Sequence, residues 1–89
     1  PDHDRFPCLN LGYESLRVGG TMPATMNAAN EIAVEAFLNH GLRFVEIPQV
    51  IRNTMDAYTP QDITCLDDAL EADRWAREKA ESLVHALSH

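Results

Sequence analysis

Gly19-Gly20-Thr21-Met22-Pro23-Ala24-Thr25-Met26-Asn27-Ala28-Ala29-Asn30-Glu31-Ile32-Ala33-Val34-Glu35-Ala36-Phe37-Leu38 reads as a turn feeding one strongly apolar helix. At 100° per residue, Ile32, Ala36, Ala29, Ala33, Met26 and Phe37 fall on one continuous arc, and the alanines in it would let a second helix approach closely. That arc is a core face. Val34 and Leu38, four residues apart, lie on the opposite side among Asn27, Asn30, Glu31 and Glu35, which predicts that this helix touches neighbours on two sides. It is the central helix of the chain.

Residues 1–6 are polar and turn-like and read as the incoming end of an inter-domain linker, with a helical domain over 7–89. Pro7 suits a first helical turn, and Leu9, Tyr13 and Leu16 follow at i, i+4 and i+7 as the expected inward stripe of helix one. Gly12 weakens the middle of that helix by ~1 kcal/mol relative to alanine, and Gly19-Gly20 end it in the left-handed conformation. Thr21 is the expected N-cap of helix two, which runs to about His40 and stops at Gly41. Leu42-Arg43-Phe44-Val45 reads as an extended connector whose apolar residues tuck onto the core. Ile47, Val50, Ile51, Met55 and Tyr58 define helix three, closed by Thr59-Pro60. Thr64-x-x-Asp67 resembles a capping box opening a last helix near Leu66, with a break expected at Asp73, itself a good N-cap. Beyond it, Ala76, Ala80, Leu83, Val84 and Leu87 share an arc. Trp75 falls off that arc, and reads either as a contact with another domain or as a partly covered surface aromatic. The fold class is all-α, a small four-helix bundle-like domain with short loops.

The 89 residues suffice for one domain with a modest core. A formal net charge of −7, from 7 basic and 14 acidic side chains, argues against nucleic acid and against an anionic membrane surface as partners. No apolar run approaches a membrane span and the first residues lack a signal peptide's apolar segment, so a soluble, cytoplasmic protein is expected. Cys8 and Cys65 belong to no C-x-x-C pair and read as two free buried thiols. His3, His40, His85 and His89 show no ligand spacing.

No residue of the sequence reads as catalytic, cofactor-binding or metal-ligating. Gly19-Gly20 follows a helix rather than a strand and terminates it. Asp67, Asp68, Glu71 and Asp73 lack the spacing and glycine of a calcium loop and suit a solvated helix start. Ser15 and Ser82 have no histidine partner in view. Asn27, Asn30 and Glu31 are the most interesting polar set: they suit hydrogen bonds to a neighbouring loop or a ligand, and the favoured reading is that they tie helix two to the chain around Gly20 and to the adjacent helix.

Arg5-Phe6-Pro7-Cys8-Leu9, Gly19-Gly20-Thr21-x-Pro23-Ala24 and above all Asn27 to Leu38, with Arg43-Phe44, Ile47-Pro48 and Asp73-x-x-Ala76-Arg77, resemble the C-terminal part of the 1-deoxy-D-xylulose 5-phosphate reductoisomerase family. The resemblance covers nearly the whole chain. It implies a parent enzyme that converts its sugar phosphate to 2-C-methyl-D-erythritol 4-phosphate in isoprenoid biosynthesis, using NADPH and Mg or Mn, as a homodimer. It also implies that the nucleotide-binding and catalytic domains, with the metal carboxylates and the phosphate site, precede this segment, which supports them and is itself inactive. Gly12 departs from the family, which more often has alanine there. The alternative is a free-standing acidic helical carrier or interaction module, since Glu14-Ser15-Leu16 is similar to the Asp-Ser-Leu of acyl carrier proteins; Ser15, however, lies inside helix one rather than opening a helix.

Overall fold

The computed structural model describes residues 7–87, with side chains from residue 11 onward. The expected linker over 1–6, the thiol of Cys8, the side chain of Leu9, and His3 and His89 lie outside the described residues. Four helices make up the fold: α1 Pro7–Val18, α2 Met22–Leu38, α3 Ile47–Ala57 and α4 Leu66–Leu87, with a 3₁₀ turn at Phe44–Glu46 leading into α3.

α2 occupies the middle, as its alanine-rich sequence predicts. It packs most extensively against α4, then α3, and also meets α1. Ala28, Ala29 and Ala33 are fully buried, and Met26, Ile32, Ala36 and Phe37 pack from the margin of the core. Contact on more than one side is real but is not made by Val34 and Leu38, which are exposed. Met22, Thr25 and Ala28 widen the buried arc instead. Glu31 meets Arg77, and Ile32 and Ala36 border a groove with Glu81 and Val84, so α2 and α4 run in the same direction. The buried residues of α4 are Ala72, Ala76 and Ala80, one turn apart. α3 contributes the larger side chains, Ile47, Val50, Ile51 and Met55, all buried as their spacing predicts.

Several expectations need correction. In α1 the inward residues are Leu11 and Ser15, whereas Tyr13 and Leu16 point to solvent. Stripe spacing alone could not tell which of two apolar faces the bundle would take. Leu42 is buried as expected, but Phe44 and Val45 are exposed because 44–46 coils into a 3₁₀ turn. That turn is fixed by Glu46, buried, whose carboxylate accepts the backbone N–H of Arg43 at 2.9 Å. α4 runs unbroken through Asp73, which is used not as a cap but as the i,i+4 partner of Arg77 at 2.8 Å. Cys65 is free but exposed rather than buried.

α2 ends in a Schellman motif, with the His40 N–H bonded to Phe37 O at 3.1 Å and the Gly41 N–H to Ala36 O at 2.9 Å. The left-handed residue is His40, at φ 63°, and not Gly41. A side chain in that conformation is strained, so His40→Gly is expected to stabilise the domain by about 1 kcal/mol, a rise of about 5 °C in Tm by circular dichroism. An unchanged or lower Tm would show that the imidazole compensates elsewhere.

At the start of α4 the capping carboxylate is Asp68, not Asp67. Its Oδ2 accepts the Thr64 hydroxyl at 2.6 Å, the Thr64 N–H at 2.8 Å and the Cys65 N–H at 3.2 Å. These hydrogen bonds, led by the Thr64 hydroxyl and then its amide, hold the Asp68 carboxyl below the ordinary value of 3.8. A depressed folded-state pKa contributes stability that is complete above the unfolded value and is lost as pH falls through the folded one. The advantage of the wild type over Asp68→Asn in thermal melts is therefore expected to be constant near neutrality and to shrink below about pH 4. A difference that stays the same down to pH 3 would refute it.

Candidate functional site

The chain turns sharply between α1 and α2. Gly19 and Gly20 both adopt positive φ, 74° and 56°, which the paired glycines allow without a Cβ penalty. The turn delivers Thr21, itself buried, against the chain leaving α3. The Thr21 N–H donates to Gln61 O at 3.0 Å, the Gln61 N–H donates to Thr21 Oγ1 at 3.0 Å, and Thr21 Oγ1 lies 2.6 Å from the Tyr58 hydroxyl. Thr21 stands at the N-cap position but makes no side-chain cap bond; its hydroxyl is spent on this junction. Thr25 Oγ1 in turn donates to Thr21 O at 3.1 Å.

Tyr58 carries the junction to α4. Its ring lies 5.0 Å from that of Trp75 at an interplanar angle of 47°. Trp75 is half-buried, with the Tyr58 ring against it. The pair borders an open cleft of about 240 Å³ together with Gln61, Asp68, Glu71 and Ala72.

The polar set singled out in sequence is divided. Asn27 Nδ2 donates to Glu31 Oε2 at 3.1 Å, and that same oxygen accepts Arg77 Nη2 at 2.9 Å. Arg77 also binds Asp73, and the two carboxylates raise its pKa, that of Asp73 first. Glu31 thus ties α2 to the adjacent helix, as expected; the tie to the chain around Gly20 is made by Thr21 and Gln61 instead. Asn30 is half-buried outside this network. On the other side of the bundle Glu14 of α1 pairs with Arg52 of α3, raising the arginine's pKa through the hydrogen bond. These pairs are substantially solvated and each contributes about 0.5 kcal/mol, so they fix register more than stability.

Among the described residues no three His, Cys, Asp or Glu converge on a point that could hold a metal ion. The carboxylates best placed by the fold, Glu14, Glu31, Glu46, Asp68 and Asp73, are each engaged by an arginine, a threonine or the backbone. These residues do not fit a divalent metal centre. Ser15 is buried, with its hydroxyl donated to Gly12 O at 2.8 Å inside α1, which is incompatible with carrying a prosthetic arm. No helix among the described residues is long and apolar enough to cross a membrane.

Such contacts define a small all-α bundle whose engaged polar groups bond within and between its own helices. The family described as the DXP reductoisomerase C-terminal domain matches residues 1–79, and the chain belongs to that family. It is 51% identical over 84 residues to 1-deoxy-D-xylulose 5-phosphate reductoisomerase of Thermodesulfovibrio yellowstonii, and 54% identical over 84 residues to that of Chlorobium phaeobacteroides. Each match covers 94% of this chain and 22% of the relative. The structure is similar to 1-deoxy-D-xylulose 5-phosphate reductoisomerase from Zymomonas mobilis in complex with NADPH, with a TM-score of 0.88 at 46% identity over 94% of this chain and 22% of that one. The chain therefore spans about a fifth of the length of the relatives it matches.

Proposed function

We propose that this bundle serves as the supporting C-terminal domain of a 1-deoxy-D-xylulose 5-phosphate reductoisomerase acting in the cytoplasm. The whole protein would be a homodimer converting 1-deoxy-D-xylulose 5-phosphate to 2-C-methyl-D-erythritol 4-phosphate with NADPH and Mg or Mn. The observation that carries the reading is the match itself. Relatives bearing that name align along 94% of this chain at about half identity, and the Zymomonas mobilis reductoisomerase, 22% of whose chain shares this fold, is in complex with NADPH.

A supporting role agrees with how the polar residues are spent. Of the carboxylates named above, Glu14 and Glu31 hold helices to one another while Glu46, Asp68 and Asp73 fix their own segments, and among the described residues no three gather where a metal ion would sit. No step of the reaction is assigned to them. The metal, the nucleotide and the sugar phosphate would be held by the preceding nucleotide-binding and catalytic domains, and the domain's contribution is a folded surface for them.

The test is NADPH oxidation in the presence of 1-deoxy-D-xylulose 5-phosphate and Mg²⁺, followed at 89 residues alone and in a longer protein carrying this sequence behind its catalytic domains. Turnover is expected only from the longer protein. Turnover by the 89 residues would overturn the supporting role, and its absence from the longer protein would overturn the activity.

A further inference from the structure

α1 has two apolar sides and the bundle uses one of them. Leu11 and Ser15 face inward, while Tyr13 is 56% and Leu16 69% exposed on the outer side, with Val18 also exposed. Tyr13 and Leu16, three residues apart, share one face of the helix. They are the residues whose spacing marks α1 as amphipathic in the first place. Exposed leucines occur elsewhere, but in elements anchored by other means. Leu66 and Leu70 belong to α4, which is held further along by three buried alanines, and Phe44 lies edge-on to Phe37 at 5.6 Å. The described side chains of α1 give it no comparable anchor. Among its described side chains only Leu11 and Ser15 are buried, and Gly12 lowers the helix propensity of its centre although a Cβ there would meet nothing within 4 Å. A helix of 12 residues depends on packing to persist.

The geometry points to the Tyr13–Leu16 face of α1 as the surface on which the preceding catalytic part of the same protein packs, through an apolar patch of its own that meets the leucine and the tyrosine ring. This rests on the reading of the chain as the C-terminal domain of a longer reductoisomerase. The occupant follows from chain order. The matched family is a C-terminal domain that makes up 22% of its relatives, so the bulk of their chain lies ahead of it and reaches this domain at α1. The first helix met by that chain thus presents an uncovered apolar face on the side from which the chain arrives in sequence. A tyrosine in such a face presents a large apolar ring with a hydroxyl at its rim, a side chain suited to a wet-edged interface.

Hydroxyl-radical footprinting of the longer protein tests this directly, because Leu16, Leu38 and Leu66 are chemically identical and about equally exposed in the isolated bundle, at 69%, 67% and 73%. Leu16 is expected to be oxidised severalfold more slowly than Leu38 and Leu66, with Tyr13 protected alongside it. A Leu16 rate matching theirs overturns the inference, as does protection that disappears on dilution, which would assign the face to a second copy. NADPH turnover on the same preparation separates the two readings. An active protein with Leu16 unprotected refutes only the docking face, whereas a protected Leu16 in an inactive protein upholds the face and refutes the activity.

Discussion

Gly20→Ala is expected to destabilise the bundle by about 3 kcal/mol, a fall of about 15 °C in Tm, although the residue is exposed and a methyl group is the smallest possible addition. Two causes act together. The backbone holds φ at 56°, where any residue with a Cβ is strained by about 1–2 kcal/mol. The new Cβ would also collide with the carbonyl oxygen of Gln61, which is the acceptor of the Thr21 N–H. Relieving the collision means moving residues 58–61 away from α2. That movement breaks both backbone-linked bonds between Thr21 and Gln61 and the contact of Thr21 with the Tyr58 hydroxyl, leaving the buried threonine hydroxyl unpaired. Gly19→Ala is the control. Its φ is 74° but a Cβ there meets nothing within 4 Å, so only the conformational strain of about 1 kcal/mol applies. Because Trp75 is the one tryptophan and rests on Tyr58, its fluorescence should shift in Gly20→Ala below the melting transition and not in Gly19→Ala. Equal melting temperatures for the two variants would show that the Gln61 contact is not a constraint.

Helix positions were legible in the sequence because their signals are local. The paired glycines, Pro7 at a helix start and the spacing of Ile47, Val50, Ile51 and Met55 each act within a few residues, and α1, α2 and α3 fall where they predict. What was not legible depends on groups distant in sequence. Thr21 scores as an N-cap on local grounds, yet its hydroxyl is claimed by Tyr58 and Gln61, about 40 residues away. Asp73 is as good a cap as a helix can offer, but four residues on stands Arg77, and an intact α4 keeps both that pair and the buried run of Ala72, Ala76 and Ala80. Asp67 and Asp68 are equivalent as composition; only the geometry of Thr64 selects the second. The same limit applies to the polar set on α2. Periodicity places Asn27 and Glu31 together on one face and gives their mutual bond, but nothing in spacing reveals that Arg77 waits across the interface.

Ala76→Leu is expected to cost about 3 kcal/mol, at the upper end for overpacked cores, because it acts on the most extensive interface of the bundle. α4 buries Ala72, Ala76 and Ala80, and α2 buries Ala28, Ala29 and Ala33, so at this crossing both helices present methyl groups and their backbones approach closely. A leucine at position 76, where no surface is accessible, has no void to enter and must push α4 outward. The displacement would uncover Ala80 and loosen Leu83 and Val84 against the core. Ala86→Leu adds the same atoms to an exposed position of the same helix and should change stability by no more than about 0.5 kcal/mol. Urea denaturation distinguishes the two, with a lowered midpoint and unchanged slope for Ala76→Leu. Outward movement of α4 would also lengthen the Arg77–Glu31 pair, so the deficit could in principle be electrostatic. Salt decides between the causes. A solvated pair is worth little and is screened, whereas overpacking is not, so the deficit of Ala76→Leu should persist undiminished at 1 M NaCl, where the Debye length is about 3 Å. A deficit that vanishes in salt, or that matches Ala86→Leu, would mean that the alanines do not set the distance between α2 and α4.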